Sequence, residues 1–392
     1  MKKICLVVQR YGDEINGGAE LLTKQLAEKL VPFYNVDVLT TKAKDYITWR
    51  NEYTEDHEVI NGVNVYRFPS ERESVHSDFM MINNRFLQRY LKREEEEQWL
   101  YEQGPVVPKL VDYLKAHEKE YYAILVFTYL FYPSVKSVSI APHKTIMFPF
   151  AHDEPYIKMS IFNDIFYKPR AFVFETDEER LFIRHRYNNY EIPYKLGGAG
   201  VDVPKVVDGE EFKKKYNLDE YIIYVGRVDE GKNCKELFQF FKEYKEKYPS
   251  DVKLVLLGKA VIDIPQTDDI ISLGFVSDED KFNGIKGAKC LVLPSRNESL
   301  SIVVLEALTL GIPVLVNGNC AVLDGHIKRS NAGYSYFEKE DFLRKLNSLL
   351  EDNKLREEMG IKGKKYVRDN YDWDVIISKL NSLIEYVGDE GK

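Results

Sequence analysis

The sequence predicts an α/β fold made of two successive units, each with a largely parallel sheet between helices. Short runs rich in Val, Ile, Leu and Phe alternate along the chain with longer amphipathic segments. Near-continuous apolar runs of this kind are typical of strands that are buried on both faces. The stretch GGAGVDVP at residues 197–204 separates two series of such runs and favours a flexible crossing. Two doubly wound units in tandem therefore explain the pattern better than one long sheet.

The predicted elements follow the same alternation in both halves. The predicted strands of the first half are Ile4–Val8, Val36–Leu39, Val63–Phe68, Ala123–Phe127, Thr145–Phe150 and Ala171–Phe174. Those of the second half are Tyr221–Val225, Val252–Leu257, Ile270–Phe275, Cys290–Leu293 and Pro313–Val316. The predicted helices include Ala19–Leu30, Val107–His117, Ser299–Leu310 and Trp373–Val387. We expect a first domain over residues 1–200, a second over 201–372 and a carboxy-terminal helix over 373–392.

Composition and charge exclude several classes of protein. Of the 392 residues, 44% are hydrophobic and 30% are charged, which suits a globular protein with a substantial core. Residues 1–200 hold 26 basic and 29 acidic residues, the rest hold 29 and 34, and the net charge is -8. We therefore expect no nucleic-acid partner. The four cysteines are far apart and form no C-x-x-C pair, which disfavours a disulfide framework or a zinc site.

The sequence predicts a cytoplasmic protein. The amino-terminal apolar run stops at Val8, earlier than a signal peptide requires, and no stretch is long enough to span a membrane. The segment Arg85–Gln98 (RFLQRYLKREEEEQ) leaves open a peripheral contact with the inner membrane, because apolar residues neighbour its basic cluster. We favour a solvated helix in which the basic residues pair with the acidic run, since that run would repel anionic lipid.

The segment GRVDEGK at residues 226–232 places an arginine and a lysine where a predicted strand ends and a helix starts. In an open parallel sheet, ligands bind at the carboxyl ends of the strands. Arg227 can grip two phosphate oxygens with its planar guanidinium, and Lys232 adds a movable point charge. Two such cations can stabilise the charge on a leaving phosphate without a metal. The alternative is a surface ion pair with Asp229 or Glu230.

The same segment nearly matches a phosphate-binding P-loop. Gly226 is followed, after four residues, by Gly231 and Lys232. A P-loop requires Ser or Thr at the next position to hold magnesium, whereas this chain has Asn233. We also find no convincing magnesium-binding Asp after a later strand. A P-loop nucleotide hydrolase or kinase is therefore kept only as an alternative.

Two glutamates, Glu298 and Glu306, flank the start of the predicted helix after the strand Cys290–Leu293. The first amides of that helix can hold a phosphate. Glu298 can accept hydrogen bonds from sugar hydroxyls, and Glu306 lies about 8–12 Å further along the axis, roughly the offset between a donor sugar and its ribose. In the alternative interpretation, Glu298 is a carboxylate that interacts with the helix dipole and Glu306 is a residue on a solvated helix face. A further alternative is that the two form the carboxylate pair of a glycosidase.

These motifs resemble glycosyltransferase family 4, a large retaining group with the GT-B fold, and the resemblance covers nearly the whole chain. The loop QRYGDEINGGAE at residues 9–20 looks like the family's first strand–loop–helix with its glycine pair. The stretch PSRNESLS at residues 294–301, followed by LEALTLGIPV at 305–314, is similar to the family's best-known signature. NYDW at residues 370–373 resembles the segment that returns to the first domain, and VNGNCAVLDGH at 316–326 looks like a bacterial subgroup that builds surface polysaccharides.

The resemblance assigns the charged residues to catalysis and donor binding. It implies that Arg227 and Lys232 bind the diphosphate, that Glu298 contacts the donor sugar and that Glu306 holds the ribose. His152 matches a family histidine at the end of a strand of the first domain, near the donor sugar. A helix-entry position is the alternative for His152, because the following residues, Asp-Glu-Pro, suit a helix start.

The resemblance also assigns backbone contacts. The amides near Leu300 and Ser301 would touch phosphate or sugar, and the loop holding Phe275 and Val276 would read the base. Gly17 and Gly18 would let the first loop approach the diphosphate and the acceptor, because a residue without Cβ permits close contact. The family often has glycine or aromatic residues at positions 299–301, where this chain has Ser-Leu-Ser, so the sugar pocket is expected to differ.

The fold implied is GT-B, with two Rossmann-like domains facing across a cleft, the donor held mainly by the second and the acceptor by the first. The implied reaction is retaining transfer of a hexose-type sugar from a nucleotide sugar to a saccharide or lipid-linked saccharide. We expect no cofactor and no metal, because the two D-x-D patterns, at residues 278–280 and 372–374, do not follow apolar strands. A nucleotide-sugar epimerase on the same fold and a non-catalytic nucleotide-sugar binder are the remaining alternatives.

Overall fold

A computed structural model of the chain describes residues 1–15 and 17–389. It divides into two compact units, each with its own sheet. The first unit comprises Met1–Ala199 together with the segment from Ile376 onwards, and the second comprises Gly200–Val375. The sequence predicts the corresponding boundaries after residues 200 and 372. Among the described residues, no helix is both long and apolar enough to cross a membrane.

The sheet of the first unit has eight strands in the described part of the chain, and all but one of its pairings are parallel. Its strands are β1 (Lys3–Val7), β2 (Asn35–Thr41), β3 (His57–Ile60), β4 (Val63–Phe68), β5 (Ala123–Phe127), β6 (Thr145–Phe148), β7 (Ala171–Phe174) and β8 (Tyr194–Leu196). Neighbouring strands follow the order β3-β4-β2-β1-β5-β6-β7-β8. Only the edge pair β3–β4 is antiparallel. The chain therefore winds outward in both directions from β1 and β5.

Helices connect these strands and cover the sheet. They are α1 (Gly18–Leu30), α2 (His76–Gln88), α3 (Arg93–Gln103), α4 (Pro108–His117), α5 (Tyr132–Ser137), α6 (Asn163–Tyr167) and α7 (Asp177–Tyr187). The core of the first unit is rich in aromatic residues. The Trp99 ring centroid lies 5.1 Å from that of Tyr156 and 6.2 Å from that of Phe162, which anchors α3 to the segment before α6.

The sheet of the second unit is entirely parallel over the described residues. Its strands are β9 (Tyr221–Val225), β10 (Lys253–Leu257), β11 (Ile270–Gly274), β12 (Leu291–Leu293), β13 (Val314–Asn317) and β14 (Gly333–Tyr336). Neighbouring strands follow the order β11-β10-β9-β12-β13-β14. This is the doubly wound order in which the winding reverses between the first and fourth strands. The reversal makes β9 and β12 neighbours, although 65 residues lie between them in the chain.

The helices of the second unit surround this sheet. They are α8 (Gly209–Tyr216), α9 (Cys234–Lys247), α10 (Asp278–Gly287), α11 (Ile302–Leu310), α12 (Ala321–Ser330), α13 (Lys339–Glu351) and α14 (Asn353–Tyr371). A last helix, α15 (Trp373–Asp389), begins in this unit and continues into the segment assigned to the first. Helix α11 is apolar and its residues Val304–Leu308 are buried, so it forms the centre of this unit's core.

The structure confirms the predicted alternation and corrects several details. All eleven predicted strands form, most within a residue or two of the expected bounds, although β6 ends at Phe148 rather than Phe150. The prediction missed β3, β8 and β14, which are short or lack an aliphatic run. The expectation of one helix over Arg85–Gln98 is wrong, because α2 ends at Gln88 and α3 begins at Arg93. The expected pairing with the acidic run does form at Arg93, which lies 3.3 Å from Glu97 and 3.9 Å from Glu96, although Glu96 is buried.

Candidate functional site

The predicted diphosphate and sugar residues lie on two loops at the carboxyl ends of neighbouring strands. The loop after β9 runs from Gly226 to Asn233, and the loop after β12 runs from Pro294 to Ser301. Gly226 has φ +148°, which a residue with a side chain rarely adopts, and its conformation turns the first loop away from the strand. The two loops therefore meet where the winding of the sheet reverses, the position at which doubly wound sheets bind ligands.

The two loops are joined by an ion pair between Lys232 and Glu298. The Lys232 Nζ atom lies 2.7 Å from Glu298 Oε1. The lysine side chain is 34% exposed and the glutamate side chain 12%, so the pair sits at the surface with its carboxylate partly withdrawn from water. The structure thus brings together two residues that the sequence placed in one site from motifs 66 positions apart.

Arg227 makes a different contact from the one expected of a phosphate-binding residue. Its Nε donates to the Asp229 carboxylate, and its side chain is 66% exposed. Asp229 also accepts the Lys232 N–H at 2.7 Å, which fixes the turn of the loop. Burial would raise the pKa of Asp229, but the hydrogen bonds from Lys232 N–H and Arg227 together lower it. The alternative of an ion pair with Asp229 therefore describes Arg227 in this structure, whereas Lys232 pairs across the site.

A group of polar side chains that the sequence analysis missed holds the second loop at its start. The carbonyl oxygen of Pro294 accepts the side-chain amide of Asn233 at 3.2 Å and that of buried Asn317 at 3.0 Å. Glu236 accepts from Asn233 at 2.7 Å and from Arg296 at 2.9 Å. These contacts hold the Asn233 side chain against the second loop, at the position where a P-loop has a Ser or Thr hydroxyl for magnesium.

The second loop ends later than predicted, and α11 is shorter. The helix begins at Ile302, not at Ser299, because Ser301 adopts the left-handed conformation with φ 66° and ends the non-helical segment. Glu298 therefore lies four residues before the helix, and the 1.5 Å rise per residue does not apply between it and Glu306. Leu300 is buried, and its carbonyl oxygen accepts the ring Nε2 of His326 at 2.8 Å.

Glu306 lies on α11 and is only 7% exposed, which excludes the alternative of a solvated face residue. Its Oε1 atom is 2.9 Å from the Nζ atom of Lys281 on α10. Burial raises the pKa of Glu306, and Lys281 opposes that effect. Lys281 was not predicted as part of the site, and no motif in the sequence distinguishes it from other helical lysines.

Phe275 and Val276 follow β11 at the edge of the sheet, two strands away from β9. Strand β11 ends at Gly274, which has φ +67°, and Phe275 is 90% exposed. Val276 is partly exposed. They share the carboxyl edge of the sheet with the two loops, and the described structure shows no contact between them and Lys232 or Glu298.

In the first unit, His152 lies in the loop after β6. Its side chain is 50% exposed, and its Nε2 atom is 3.7 Å from a carboxylate oxygen of Glu154. A short 3-10 turn, Pro155–Lys158, follows with its proline in the first turn, as the helix-entry alternative predicts. Asp153 does not cap this turn, contrary to that alternative. The backbone just before His152 is held by Glu179, which accepts the Ala151 N–H at 2.7 Å.

The glycine pair lies at the start of α1. Gly17 caps the helix in an extended conformation and Gly18 is its first residue, while Asn16 of the same loop lies outside the described residues. A Cβ on Gly17 would stand 2.0 Å from the Glu20 carboxylate, which itself binds buried Arg10. A Cβ on Gly18 would meet nothing within 4 Å. Local packing therefore explains the glycine at position 17, and the protein itself does not require one at position 18.

Comparison with known families agrees with this architecture. Residues 208–366 match the family described as Glycosyl transferases group 1. The capsular polysaccharide biosynthesis glycosyltransferase CapM of Staphylococcus aureus is 27% identical over 194 residues, which cover 45% of this chain and 50% of CapM. The alpha-D-kanosaminyltransferase of Streptomyces kanamyceticus is 28% identical over 216 residues, which cover 49% of this chain and 54% of that protein. The chain spans about half the length of these curated relatives.

Solved structures match almost the whole chain. Sucrose-phosphate synthase from Thermosynechococcus elongatus aligns over 99% of both chains with a TM-score of 0.70 and 17% identity. WaaG, a glycosyltransferase involved in lipopolysaccharide biosynthesis, covers 98% of this chain and 99% of its own, with a TM-score of 0.64 and 14% identity. Likeness at such identities establishes the fold, and the finer assignment to family 4 stays a prediction. The predicted fold class is confirmed: the chain has the GT-B fold, and its residues 208–366 match the model of the glycosyl transferases group 1.

Proposed function

We propose that this protein is a retaining, metal-independent glycosyltransferase that moves a hexose-type sugar from a nucleotide sugar to a saccharide or lipid-linked saccharide. The observation that carries the proposal is the Lys232–Glu298 pair at the reversal point of the second sheet. A cation for a diphosphate and a carboxylate for sugar hydroxyls stand side by side there.

In this proposal the charges at the strand ends divide the donor between them. Lys232 and Arg227 bind the diphosphate, so each exchanges part of its contact with Glu298 or Asp229 for phosphate oxygens. Glu298 accepts hydrogen bonds from the sugar hydroxyls, and Glu306 accepts them from the ribose. Phe275 and Val276 flank the base, and the first N–H groups near Leu300 and Ser301 point at phosphate. Of the first unit's residues, His152 acts near the donor sugar in this proposal, and Gly17 and Gly18 let the first loop approach the diphosphate and the acceptor.

The transfer step breaks the bond between the anomeric carbon and the phosphate oxygen and forms a bond to the acceptor oxygen on the same face of the sugar. The acceptor hydroxyl gives its proton to the departing phosphate oxygen, so no strong side-chain base is required. Negative charge grows on the diphosphate as the bond breaks, and pre-placed cations stabilise it most at that moment. The resemblance to family 4 supports the retaining course of this step.

The proposed acceptor and the proposed biosynthetic role are based on the names of similar proteins. CapM and WaaG are named for capsular polysaccharide and lipopolysaccharide biosynthesis, and HepE of Anabaena was solved with UDP and glucose. We therefore propose a role in bacterial surface polysaccharide synthesis, with a lipid-linked acceptor placing the protein at the cytoplasmic face of the inner membrane. The turn between α2 and α3 offers limited charge for that contact, because Arg85 and Arg89 both pair with Glu95.

A thermal-unfolding panel tests the proposal. The protein is heated with UDP, GDP, dTDP, ADP or ATP, each with EDTA and with magnesium. We expect one nucleoside diphosphate to raise the Tm in EDTA, because a ligand at 100 times its Kd stabilises the folded state by about 2.7 kcal/mol. Stabilisation by ATP with magnesium alone would instead support the P-loop alternative and overturn the proposal.

A further inference from the structure

A buried histidine forms a hydrogen bond with the backbone of the second loop of the candidate site. His326 on α12 is fully buried. Its Nε2 atom lies 2.8 Å from the carbonyl oxygen of Leu300, and its Nδ1 atom lies 2.9 Å from the hydroxyl of Tyr366 on α14. Both ring nitrogens thus have partners on different elements, and one of those partners is the backbone of the loop that carries Glu298.

The two contacts fix the direction of both hydrogen bonds. A carbonyl oxygen only accepts, so Nε2 carries the hydrogen and donates to Leu300. Nδ1 is then bare and accepts the Tyr366 hydroxyl hydrogen. The Tyr366 oxygen lies 3.4 Å from both Arg329 Nε and the Tyr371 hydroxyl, which can complete its contacts. Burial lowers the pKa of His326 to about 4, so the ring stays neutral and the arrangement persists at physiological pH.

Holding this carbonyl also orients the next N–H group. In a planar trans peptide the C=O of Leu300 and the N–H of Ser301 point in opposite directions. Because the carbonyl points inward at His326, the N–H of Ser301 points away from the core. Among the described residues it donates to no protein acceptor, and the buried Ser301 hydroxyl also has no partner. The peptide therefore presents a donor group just before α11, beside Glu298.

We propose that His326 is a positioning residue for the nucleotide donor. Through the Leu300 carbonyl it locks the Leu300–Ser301 peptide so that the Ser301 N–H faces the donor diphosphate. The inference rests on the proposed function and deepens it, because it identifies a residue that never touches the ligand but sets the direction of a group that does. The start of the same loop is held in a comparable way, with the Pro294 carbonyl fixed by Asn233 and Asn317.

Three substitutions separate the contact with Leu300 from the contact with Tyr366. The amide nitrogen of glutamine reaches the place of imidazole Nε2, so His326→Gln keeps a donor for the Leu300 carbonyl. Asparagine is shorter and reaches only the place of Nδ1, so His326→Asn loses that donor. Tyr366→Phe removes the other partner and leaves the bond to Leu300 in place. Any of the three variants perturbs the buried cluster, but only His326→Asn releases the peptide.

The experiment measures binding of UDP, GDP, dTDP and ADP in EDTA by calorimetry, together with the Tm of each variant without nucleotide. For the nucleotide that binds wild type most tightly, we expect His326→Asn to raise Kd by at least about tenfold, the loss of one hydrogen bond to a charged group. We expect His326→Gln and Tyr366→Phe to stay within about threefold, even where their Tm falls.

The outcomes distinguish the inference from the proposed function. If wild type binds one of the nucleotides and His326→Asn binds it no more weakly than His326→Gln, the positioning role is wrong and the proposed function stands. If Kd rises in each of the three variants in proportion to the fall in its Tm, the role of His326 is purely structural and the inference is also overturned. If wild type binds none of the four nucleotides, the proposed function fails and the inference fails with it. If His326→Asn does not fold, a Tyr366→Phe variant with weakened binding overturns the inference.

Discussion

The two units use charged side chains in opposite ways at the ends of their strands. In the second unit, Lys232 and Glu298 pair at the surface between two loops, where a ligand can compete for either of them. In the first unit, two carboxylates near the predicted site residues, those of Glu20 and Glu179, are buried and contact groups of the protein itself. Glu179 accepts the Ala151 N–H just before His152, and Glu20 binds Arg10 beneath the glycine pair.

This contrast separates groups that act on a ligand from groups that shape the backbone. The Lys232 side chain is 34% exposed, so an anionic ligand can reach it and replace part of its contact with Glu298. Breaking a buried pair leaves an uncompensated charge in the interior and costs several kcal/mol. We therefore expect changes at Arg10 and Glu20 to affect mainly stability and changes at Lys232 to affect mainly donor binding.

The glycine pair gives the largest expected effect on stability. Gly17→Ala places a methyl group 2.0 Å from Oε2 of Glu20, so the Glu20 side chain must shift, and this disturbs the hydrogen bonds that its Oε1 accepts from Arg10. We expect a loss of about 1–3 kcal/mol in the free energy of unfolding, measured by urea denaturation. Gly18→Ala is the matched control, since its methyl group meets nothing within 4 Å, and it should change stability by less than about 0.5 kcal/mol. Equal losses in both variants would show that Glu20 and Arg10 do not support this loop.

This example shows where the sequence was informative and where it was not. Glycine at positions 17 and 18 was predicted to permit close approach of a ligand, but the sequence could not show that a neighbouring carboxylate already fills the space beside Gly17. The alternation of apolar runs was sufficient for the fold class, because buried parallel strands require such runs. Short edge strands such as β14 lack that signal and were missed.

A smaller effect concerns Glu175, which follows β7. It is 3% exposed, and neither carboxyl oxygen has a hydrogen-bond partner among the described residues. Burial, with Glu179 nearby, raises its pKa well above 4.5. When folding raises the pKa of a carboxyl group, the folded protein is most stable below the pKa that the group has in the unfolded chain. The free energy of unfolding then falls as the pH rises from the unfolded pKa towards the folded pKa. Wild type should therefore become relatively less stable above about pH 4.5.

Glu175→Gln removes this titration, so its Tm relative to wild type should increase with pH. We expect the difference to rise by about 2 °C between pH 5 and pH 8, measured by thermal unfolding in matched buffers. Glu191→Gln, an exposed change in the same unit, is the control and should show no such trend. A difference that is constant with pH would mean that Glu175 is not held neutral by the fold.

The charged residues of the candidate site were predictable, and their supporting residues were not. Arg227, Lys232, Glu298 and Glu306 stand in short motifs whose position after strands already indicates a ligand edge. Lys281, Asn317 and His326 come from distant segments, and only the strand order brings them to the loops. The left-handed Ser301 also shortened α11, a local conformation that residue preferences alone do not predict.

The most direct test of the account is a calorimetric titration of wild type, Lys232→Ala and Lys235→Ala with the best-binding nucleoside diphosphate in EDTA. Lys235, three residues after Lys232, is the matched control, because it is exposed and pairs with exposed Glu230. We expect Lys232→Ala to weaken binding by about 10- to 100-fold, the loss of one hydrogen bond to a charged group, and Lys235→Ala to leave it unchanged. Wild-type affinity in Lys232→Ala would contradict the claim that the Lys232–Glu298 edge is the donor site.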